Sequence, residues 1–100
     1  MKHYIGVDMG TQSMRAYLFN PDGEIVADAA SEYLPVYPQP GWAECDPNLW
    51  LKSLKDILTE VKKKGKIQAE EIGTIAFACI DASIVPVDEE CNPIDNCIVW

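Results

Sequence analysis

The chain has 100 residues, of which 48% are apolar, and its 16 acidic and 8 basic residues give a net charge of −8 at pH 7. This composition describes one small domain, or part of a larger one, and excludes an intrinsically disordered chain. The acidic excess argues against binding to a nucleic-acid backbone, which requires a basic surface. It does not exclude a small anion, because backbone N–H groups can hold an anion without net positive charge.

The cysteines and the apolar stretches restrict the protein class further. No two of the four cysteines have C-x-x-C spacing and His3 is the single histidine, so we do not expect a zinc site. The first residues lead into a strand pattern without the features of a signal peptide. The longest apolar stretch, residues 72–87, contains Asp81 and is too short to span a bilayer. We therefore expect a cytoplasmic protein with reduced thiols and no membrane partner.

The first third of the chain predicts an antiparallel meander. Residues 5–8 and 15–19 have strand patterns, and residues 20–23 (N-P-D-G) form a strong turn signal between the second strand and a third at residues 24–33. Short connections of this kind join neighbouring antiparallel strands. The expected apolar face of the second strand carries Met14, Ala16 and Leu18.

Residues 34–45 lose all periodicity. Three prolines and Gly41 exclude a helix and disfavour a central strand. We predict an ordered surface loop here, with Trp42 as its anchor.

A helix is predicted to follow this loop. Asp46 is a favourable N-cap and Pro47 suits the first helical position. Residues 62–64 are lysines, which stabilise the negative end of the helix dipole, and Gly65 is expected to end the helix. The apolar residues at helical spacing are Trp50, Leu51, Leu54, Ile57, Leu58 and Val61.

The last third predicts strands and turns. After a polar turn at residues 68–71, residues 74–79 (T-I-A-F-A-C) predict a buried strand, which can be parallel to an earlier strand because a helical crossover precedes it. Residues 83–87 are extended, residues 88–93 form a turn, and residues 98–100 begin another strand. Because the chain ends on apolar residues without a cap, we expect it to be the N-terminal part of a longer protein.

The hairpin between the first two strands carries the candidate site. A phosphate site needs converging N–H groups in a turn of glycine and small residues, and Mg²⁺ prefers carboxylate and water oxygens. Neither G-x-x-x-x-G-K-[S/T] nor G-x-G-x-x-G is present, which argues against a P-loop or a dinucleotide fold. A hairpin with an incidental turn remains an alternative. The candidate residues are Asp8, Gly10, Thr11, Gln12 and Ser13, with Arg15 if its side chain returns to the same face.

Three segments together resemble the FGGY carbohydrate kinases. The segment VDMGT at residues 7–11 resembles the first phosphate motif of the actin, Hsp70 and sugar kinase superfamily. The segment PQPGWAECDP at residues 38–47, followed by Trp50, is similar to a segment of xylulokinases and gluconokinases. The turn at residues 88–94 (D-E-E-C-N-P-I) and the I-V-W at residues 98–100 complete the likeness, which covers the whole chain.

The resemblance implies a fold, cofactors and site residues. The expected fold is α/β and ribonuclease-H-like, with a mixed sheet of three antiparallel strands followed by a helix and a parallel strand. Residues 1–100 would be the N-terminal part of the first kinase domain, with the general base and adenosine pocket in the absent remainder, so this chain alone should not catalyse. The implied cofactors are ATP and Mg²⁺, and Asp8 would be the catalytic metal-binding carboxylate. The residues implied near the phosphates are Gly10, Thr11, Gln12, Ser13 and Arg15.

The resemblance also assigns a sugar-facing loop after the strand at residues 74–79. Xylulokinases usually carry Met-His-Gly there and glycerol kinases Gln-Arg-Glu, whereas this chain has Asp81-Ala82 at the matching pair of positions. A carboxylate suits a polyol because it accepts two hydroxyl hydrogen bonds. The alternative for Asp81 is a loop or cap residue, and Ala82 would either leave room for a larger substrate or contribute nothing. Trp100 matches a substrate-contacting tryptophan of glycerol kinases, with core packing as its alternative.

Three functions remain after this reading. The first is an ATP-dependent sugar or polyol kinase, whose partner is a small-molecule sugar or polyol. The second is a nucleotide-driven conformational protein of the actin or Hsp70 type, which should lack the Pro-Gly-Trp segment, and the third is a non-catalytic module. The sequence does not determine the oligomeric state, for which a homodimer is one option. We expect Trp50 and Cys79 to be core residues.

Overall fold

The computed structural model describes residues 2–79 and 83–98, which form one four-stranded sheet, one helix and a small second sheet. A short 3₁₀ turn, Ala69–Glu71, precedes the fifth strand. In chain order the elements are β1 (His3–Met9), β2 (Ser13–Phe19), β3 (Ile25–Glu32), β4 (Glu44–Cys45), α1 (Pro47–Gly65), β5 (Ile72–Ala78) and β6 (Cys97–Ile98).

The large sheet has the strand order β3-β2-β1-β5. The first three strands are antiparallel neighbours, and β5 pairs in parallel with β1 after the α1 crossover. The predicted antiparallel meander and the predicted parallel fifth strand are both confirmed. The sequence could indicate them because a meander needs only short turns, whereas a parallel neighbour needs a long crossover. The pair β4-β6 forms a separate two-stranded antiparallel sheet.

The turn between β2 and β3 forms where the sequence predicts it. The N–H of Gly23 donates to the carbonyl of Asn20 at 3.0 Å, and Gly23 has a φ of +84°. The Asn20 side chain accepts from the backbone N–H of Asp22 at 3.0 Å and of Glu24 at 2.9 Å. Asparagine therefore organises the turn through its side chain, while glycine takes the left-handed position that other residues disfavour.

The proline-rich loop is ordered, as predicted, but its anchor differs from the prediction. Val36 and Glu44 exchange two backbone hydrogen bonds of 2.8 and 2.9 Å, which close the loop at its base. Within it, the N–H of Trp42 donates to the carbonyl of Gln39 at 3.0 Å, and Gly41 has a φ of +84°. The Trp42 side chain is 52% exposed, so its assignment as the anchor is wrong. Backbone pairing, and not burial of the indole, holds this segment.

The helix begins as predicted and ends one residue later than expected. A carboxylate oxygen of Asp46 accepts from the N–H of Asn48 at 2.9 Å, and Pro47 is the first helical residue. At the other end, Gly65 is still helical and Lys66 takes the left-handed position, with a φ of 55°. Gly65 has a different role, because a Cβ at position 65 would overlap the Leu18 side chain. Glycine is therefore required here for close packing, and not for its left-handed freedom.

The core lies between α1 and the face of the meander toward that helix. The predicted apolar face of β2 is confirmed, because Met14, Ala16 and Leu18 are all buried. Trp50 is half-buried and packs against both the main core and a small cluster that contains Cys45 and Cys97, which confirms its packing role. Two helical residues, Ile57 and Val61, are the largest fully buried side chains that α1 contributes.

Strand β5 forms at the predicted place but is not buried. All its residues after Ile72 are exposed, including Phe77 at 52%, and so is Cys79 beyond its end. The predictions of a buried strand and of a core Cys79 are therefore wrong for the described residues. The reason is that β5 is the edge strand and α1 packs on β2 and β3. The apolar residues of β5 favour burial, but the sequence of the strand does not show which element would cover it.

We expect Gly65→Ala to destabilise the domain by about 1–3 kcal/mol, although alanine usually favours a helix over glycine by about 1 kcal/mol. The new methyl group would overlap the side chain of Leu18, which is fully buried, so that side chain or the helix must shift. Thermal denaturation checks the sign of the change. In a double-mutant cycle, Leu18→Ala should relieve part of the penalty, and strictly additive effects would contradict the overlap.

Candidate functional site

The β1–β2 hairpin has a two-residue tip. Met9 and Met14 form the last ladder pair, and the N–H of Gly10 donates to the carbonyl of Ser13 at 2.8 Å, which leaves Thr11 and Gln12 at the tip. The sequence pattern placed the end of the strand at Asp8, but β1 continues to Met9. The hairpin is therefore tighter than the sequence alone indicates.

Tyr33, directly after β3, supports the hairpin from the helix side of the sheet. Its hydroxyl lies 2.6 Å from the carbonyl oxygen of Gly10 and 2.9 Å from that of Ser13, so one proton is shared between two acceptors. Its backbone N–H donates to the carbonyl of Gln12 at 2.9 Å. This single residue therefore engages three of the four carbonyl groups in the hairpin loop.

The fourth carbonyl of the loop, that of Thr11, faces a cysteine. The Cys45 thiol lies 3.7 Å from this oxygen and can act as a weak donor. The backbone N–H groups of Thr11 and Gln12 donate to no group in residues 2–79 or 83–98. A loop whose carbonyls are engaged by the protein, while its tip N–H groups are free, is suited to an anion and not to a cation.

Asp8 and Arg15 are directly opposite each other on neighbouring strands, so their side chains share one face of the sheet. Both are exposed. The guanidinium group of Arg15 lies 4.0 Å from the carboxylate of Asp28, and both of these side chains are about half exposed. An ion pair this exposed contributes little stability, so the guanidinium is not held firmly beside β3.

The ionisation of Tyr33 and Cys45 agrees with their roles as donors. The pKa of Tyr33 is raised to about 12, chiefly by burial and to a smaller degree by the neighbouring Cys45, Asp8 and Cys79. Burial, and then Cys97, also raises the pKa of the Cys45 thiol. Because both are acids with raised pKa values, both groups keep their protons at neutral pH and remain able to donate.

Two residues that the sequence did not single out, Tyr33 and Cys45, contact the hairpin, while the roles predicted for the site residues stay predictions. Tyr33 and Cys45 are 20 or more residues from the carbonyls that they contact, and no local sequence signal links them to the hairpin. Asp8 and the predicted phosphate-site residues (Gly10, Thr11, Gln12, Ser13 and Arg15) all lie in the hairpin or beside it. The predicted substrate residues Asp81, Ala82 and Trp100 lie outside the described residues.

The hairpin fits a magnesium site only in part. Within residues 2–79 and 83–98, no three His, Cys, Asp or Glu side chains cluster closely enough to hold a metal ion by themselves. Mg²⁺, however, commonly uses one or two carboxylates and completes its shell with water and substrate phosphates. The exposed carboxylate of Asp8, two residues before the Gly10–Ser13 loop, meets that requirement.

Two further observations concern location. None of the helices in the described residues has the length and apolarity to cross a membrane. All four cysteines are free, as expected for reduced thiols. The cytoplasmic location itself stays a prediction.

Comparison with known proteins identifies the family. A profile described as the FGGY family of carbohydrate kinases, N-terminal domain, matches residues 3–100. The chain is 36% identical over 101 residues to a glycerol kinase of Petrotoga mobilis, covering 99% of this chain and 20% of that relative. Among solved structures, xylulose kinase from Rhodospirillum rubrum matches with a TM-score of 0.88 and 28% identity, over 98% of this chain and 20% of that one.

Gluconate kinase from Lactobacillus acidophilus matches with the same TM-score of 0.88 and 26% identity, over 97% of this chain and 19% of that one. The shared architecture is the α/β, ribonuclease-H-like fold that the sequence predicts. The chain thus spans about a fifth of the length of the proteins that it matches. With the family profile matched along almost all of its residues, the chain belongs to the FGGY family of carbohydrate kinases.

Proposed function

We propose that the protein carrying this chain is an ATP-dependent kinase, which transfers the γ-phosphate of ATP to a hydroxyl group of a sugar or polyol. Residues 1–100 then form the N-terminal part of its first domain. One observation carries the proposal: in a chain of a carbohydrate-kinase family, the protein engages the carbonyls of the Gly10–Ser13 loop, while two N–H groups at its tip donate to no group in the described residues.

The hairpin supplies what phosphoryl transfer asks of a protein, namely positioning and stabilisation of charge. The free N–H groups of Thr11 and Gln12 would donate to phosphate oxygens. The hydroxyls of Thr11 and Ser13 and the amide of Gln12 add further donors. Arg15, which is held only weakly by Asp28, can move to a phosphate and contribute a charge-assisted contact.

Asp8 is the described residue that would hold Mg²⁺, directly or through water. The chemistry that the ion would supply when bound is positive charge that offsets the charge of the phosphates. Asp8 would orient this ion from the face of the sheet that it shares with Arg15. The general base that accepts the proton of the substrate hydroxyl is expected beyond residue 100.

The acceptor of the phosphate is a sugar or a polyol. The relatives named above are a glycerol kinase, a xylulose kinase and a gluconate kinase, which makes a three-carbon polyol, a ketopentose and an aldonate all candidates. We propose a ketose, alditol or related polyol longer than glycerol. The support is the residue type at position 81, since an aspartate stands where glycerol kinases usually present an arginine.

The direct test is a coupled assay for ADP release, with the full-length protein and a panel of glycerol, tetritols, ketopentoses, pentitols and aldonates. We expect turnover that depends on ATP, Mg²⁺ and one member of the panel. Best activity on glycerol would overturn the substrate class while leaving the kinase proposal intact. ATP binding without phosphorylation of any member would favour a conformational protein of the actin or Hsp70 type.

We expect Asp81→Ala to lower kcat/KM for the preferred acceptor by about 10- to 100-fold. The reason is that a charged acceptor of hydroxyl hydrogen bonds is worth about 1.5–3 kcal/mol. Glu89→Ala, which removes an exposed carboxylate from the turn at residues 88–93, is the control, and its kcat/KM should stay close to that of the wild type. An unchanged kcat/KM in Asp81→Ala would return Asp81 to the role of a loop residue.

A further inference from the structure

We propose that Tyr33 is a positioning residue for phosphoryl transfer, because its hydroxyl and backbone N–H hold the carbonyls of the Gly10–Ser13 loop in the arrangement that presents the tip N–H groups to a phosphate. This inference rests on the proposed kinase function. It assigns a role in the reaction to a residue that touches neither substrate nor cofactor.

The first support is the concentration of contacts. The hydroxyl of Tyr33 bridges Gly10 and Ser13 at 2.6 and 2.9 Å, and its N–H bonds Gln12 at 2.9 Å. Within the loop itself, a single backbone hydrogen bond, from Gly10 to Ser13, closes the turn. The conformation of the loop therefore depends on Tyr33 more than on its own backbone.

The second support is the rigidity of Tyr33. The residue is only 5% exposed, and its ring packs in the main core with Met14 and the apolar face of α1. Tyr33 directly follows β3 in the chain. The last residue of β3, Glu32, pairs with Ser13 at the base of the hairpin. A hydroxyl fixed by both a strand and a packed core is a firm reference point for a short loop.

The third support is the position of the loop relative to the sheet. Tyr33 approaches from the face that α1 covers, whereas Asp8 lies on the opposite, open face. The anchor therefore does not occupy the space in which a phosphate and its metal would lie. A fixed loop matters because misplacing a donor by about 1 Å can cost about 100-fold in rate.

The test is Tyr33→Phe in the full-length protein, which removes the hydroxyl but keeps the ring and the backbone N–H. We expect kcat/KM for ATP to fall by about 5- to 100-fold, because the carbonyls of Gly10 and Ser13 lose their shared donor and the tip N–H groups lose their alignment. The KM for the acceptor should stay within about twofold of the wild type. A purely structural role would raise the KM values of both substrates together.

The matched control is Tyr37→Phe, which removes the hydroxyl of an exposed tyrosine in the proline-rich loop. Its kinetic constants should equal those of the wild type. The proposal is overturned if Tyr33→Phe keeps kcat and the KM for ATP within about twofold of the wild type. The proposal is equally overturned if the KM for ATP and the KM for the acceptor rise by the same factor.

A second measurement does not depend on activity. The N–H groups of Gly10 and Tyr33 donate to the hairpin carbonyls of Ser13 and Gln12. The hydrogen exchange rates of these two amides therefore report how often the hairpin loop opens. In Tyr33→Phe both amides should exchange at least about tenfold faster, while amides of α1 keep their wild-type rates. Unchanged exchange at both amides would refute the anchoring role. If the wild type phosphorylates no acceptor, the proposed function fails, and exchange alone still decides whether Tyr33 holds the loop.

Discussion

Asp8→Asn in the full-length protein should lower turnover by about 100- to 1,000-fold while the domain keeps its fold. The substitution preserves the shape of the side chain and removes its negative charge. Loss of a fixed charge that acts at the site of phosphoryl transfer typically lowers the turnover of an enzyme by about this factor. Because Asp8 is exposed and forms no described hydrogen bond, its replacement should not disturb the core. Steady-state kinetics at saturating ATP and acceptor, with circular dichroism of the variant, measure both parts of this expectation.

Asp22→Asn is the control for the loss of a surface charge. Asp22 is exposed in the β2–β3 turn, at the end of the sheet opposite to the hairpin tip. This variant should keep wild-type turnover. If Asp8→Asn also retained near-normal turnover, the assignment of Asp8 to magnesium would be wrong. A lower turnover that excess Mg²⁺ restores would support the assignment, because weakened metal binding can be overcome by concentration.

Leu18→Ala should destabilise the domain by about 2–5 kcal/mol, the second large effect that the structure predicts. Leu18, the second-last residue of β2, is fully buried and lies against Gly65 at the end of α1, so its truncation leaves a cavity between sheet and helix. Hydrogen exchange of β2 and α1 amides measures the change locally. Their exchange should become about 30-fold to several thousand-fold faster.

Leu34→Ala makes the same chemical change at a residue that is 72% exposed. Exchange in β2 and α1 should stay at the wild-type rate in this control. If Leu18→Ala left these rates unchanged, the contact between the sheet and α1 would not be the main source of stability in this part of the protein.

Local signals in the sequence were sufficient for most of the fold. The Asp46-Pro47 pair sets the start of α1, since capping and the fixed φ of proline act within one turn. The β2–β3 turn follows from asparagine, proline and glycine in the same way. The parallel pairing of β5 was predictable from chain order, because a crossover helix precedes it.

Properties that depend on distant neighbours could not be predicted from the sequence. Trp42, Cys79 and most of β5 are exposed although their residue types favour burial, because burial depends on which elements pack over them. The need for glycine at position 65, the last residue of α1, comes from its contact with Leu18 on β2. The contacts of Tyr33 with the hairpin depend on the register between β2 and β3, which places the end of one strand beside the start of the other. The hydrophobic pattern of a strand or helix indicates which of its faces is buried, but not the individual contacts that the face makes.

The pairing of β1 with β5 has a consequence for how the chain acquires its structure. The meander joins neighbours in sequence, whereas the partner strands β1 and β5 are separated by β2, β3 and the whole of α1. Contacts close in sequence form fast, and closing a long loop delays the distant ones. During synthesis, the β1 edge therefore emerges from the ribosome well before the strand that protects it. An open strand edge at that stage is a template for pairing with another nascent chain, which makes early folding the step most exposed to aggregation.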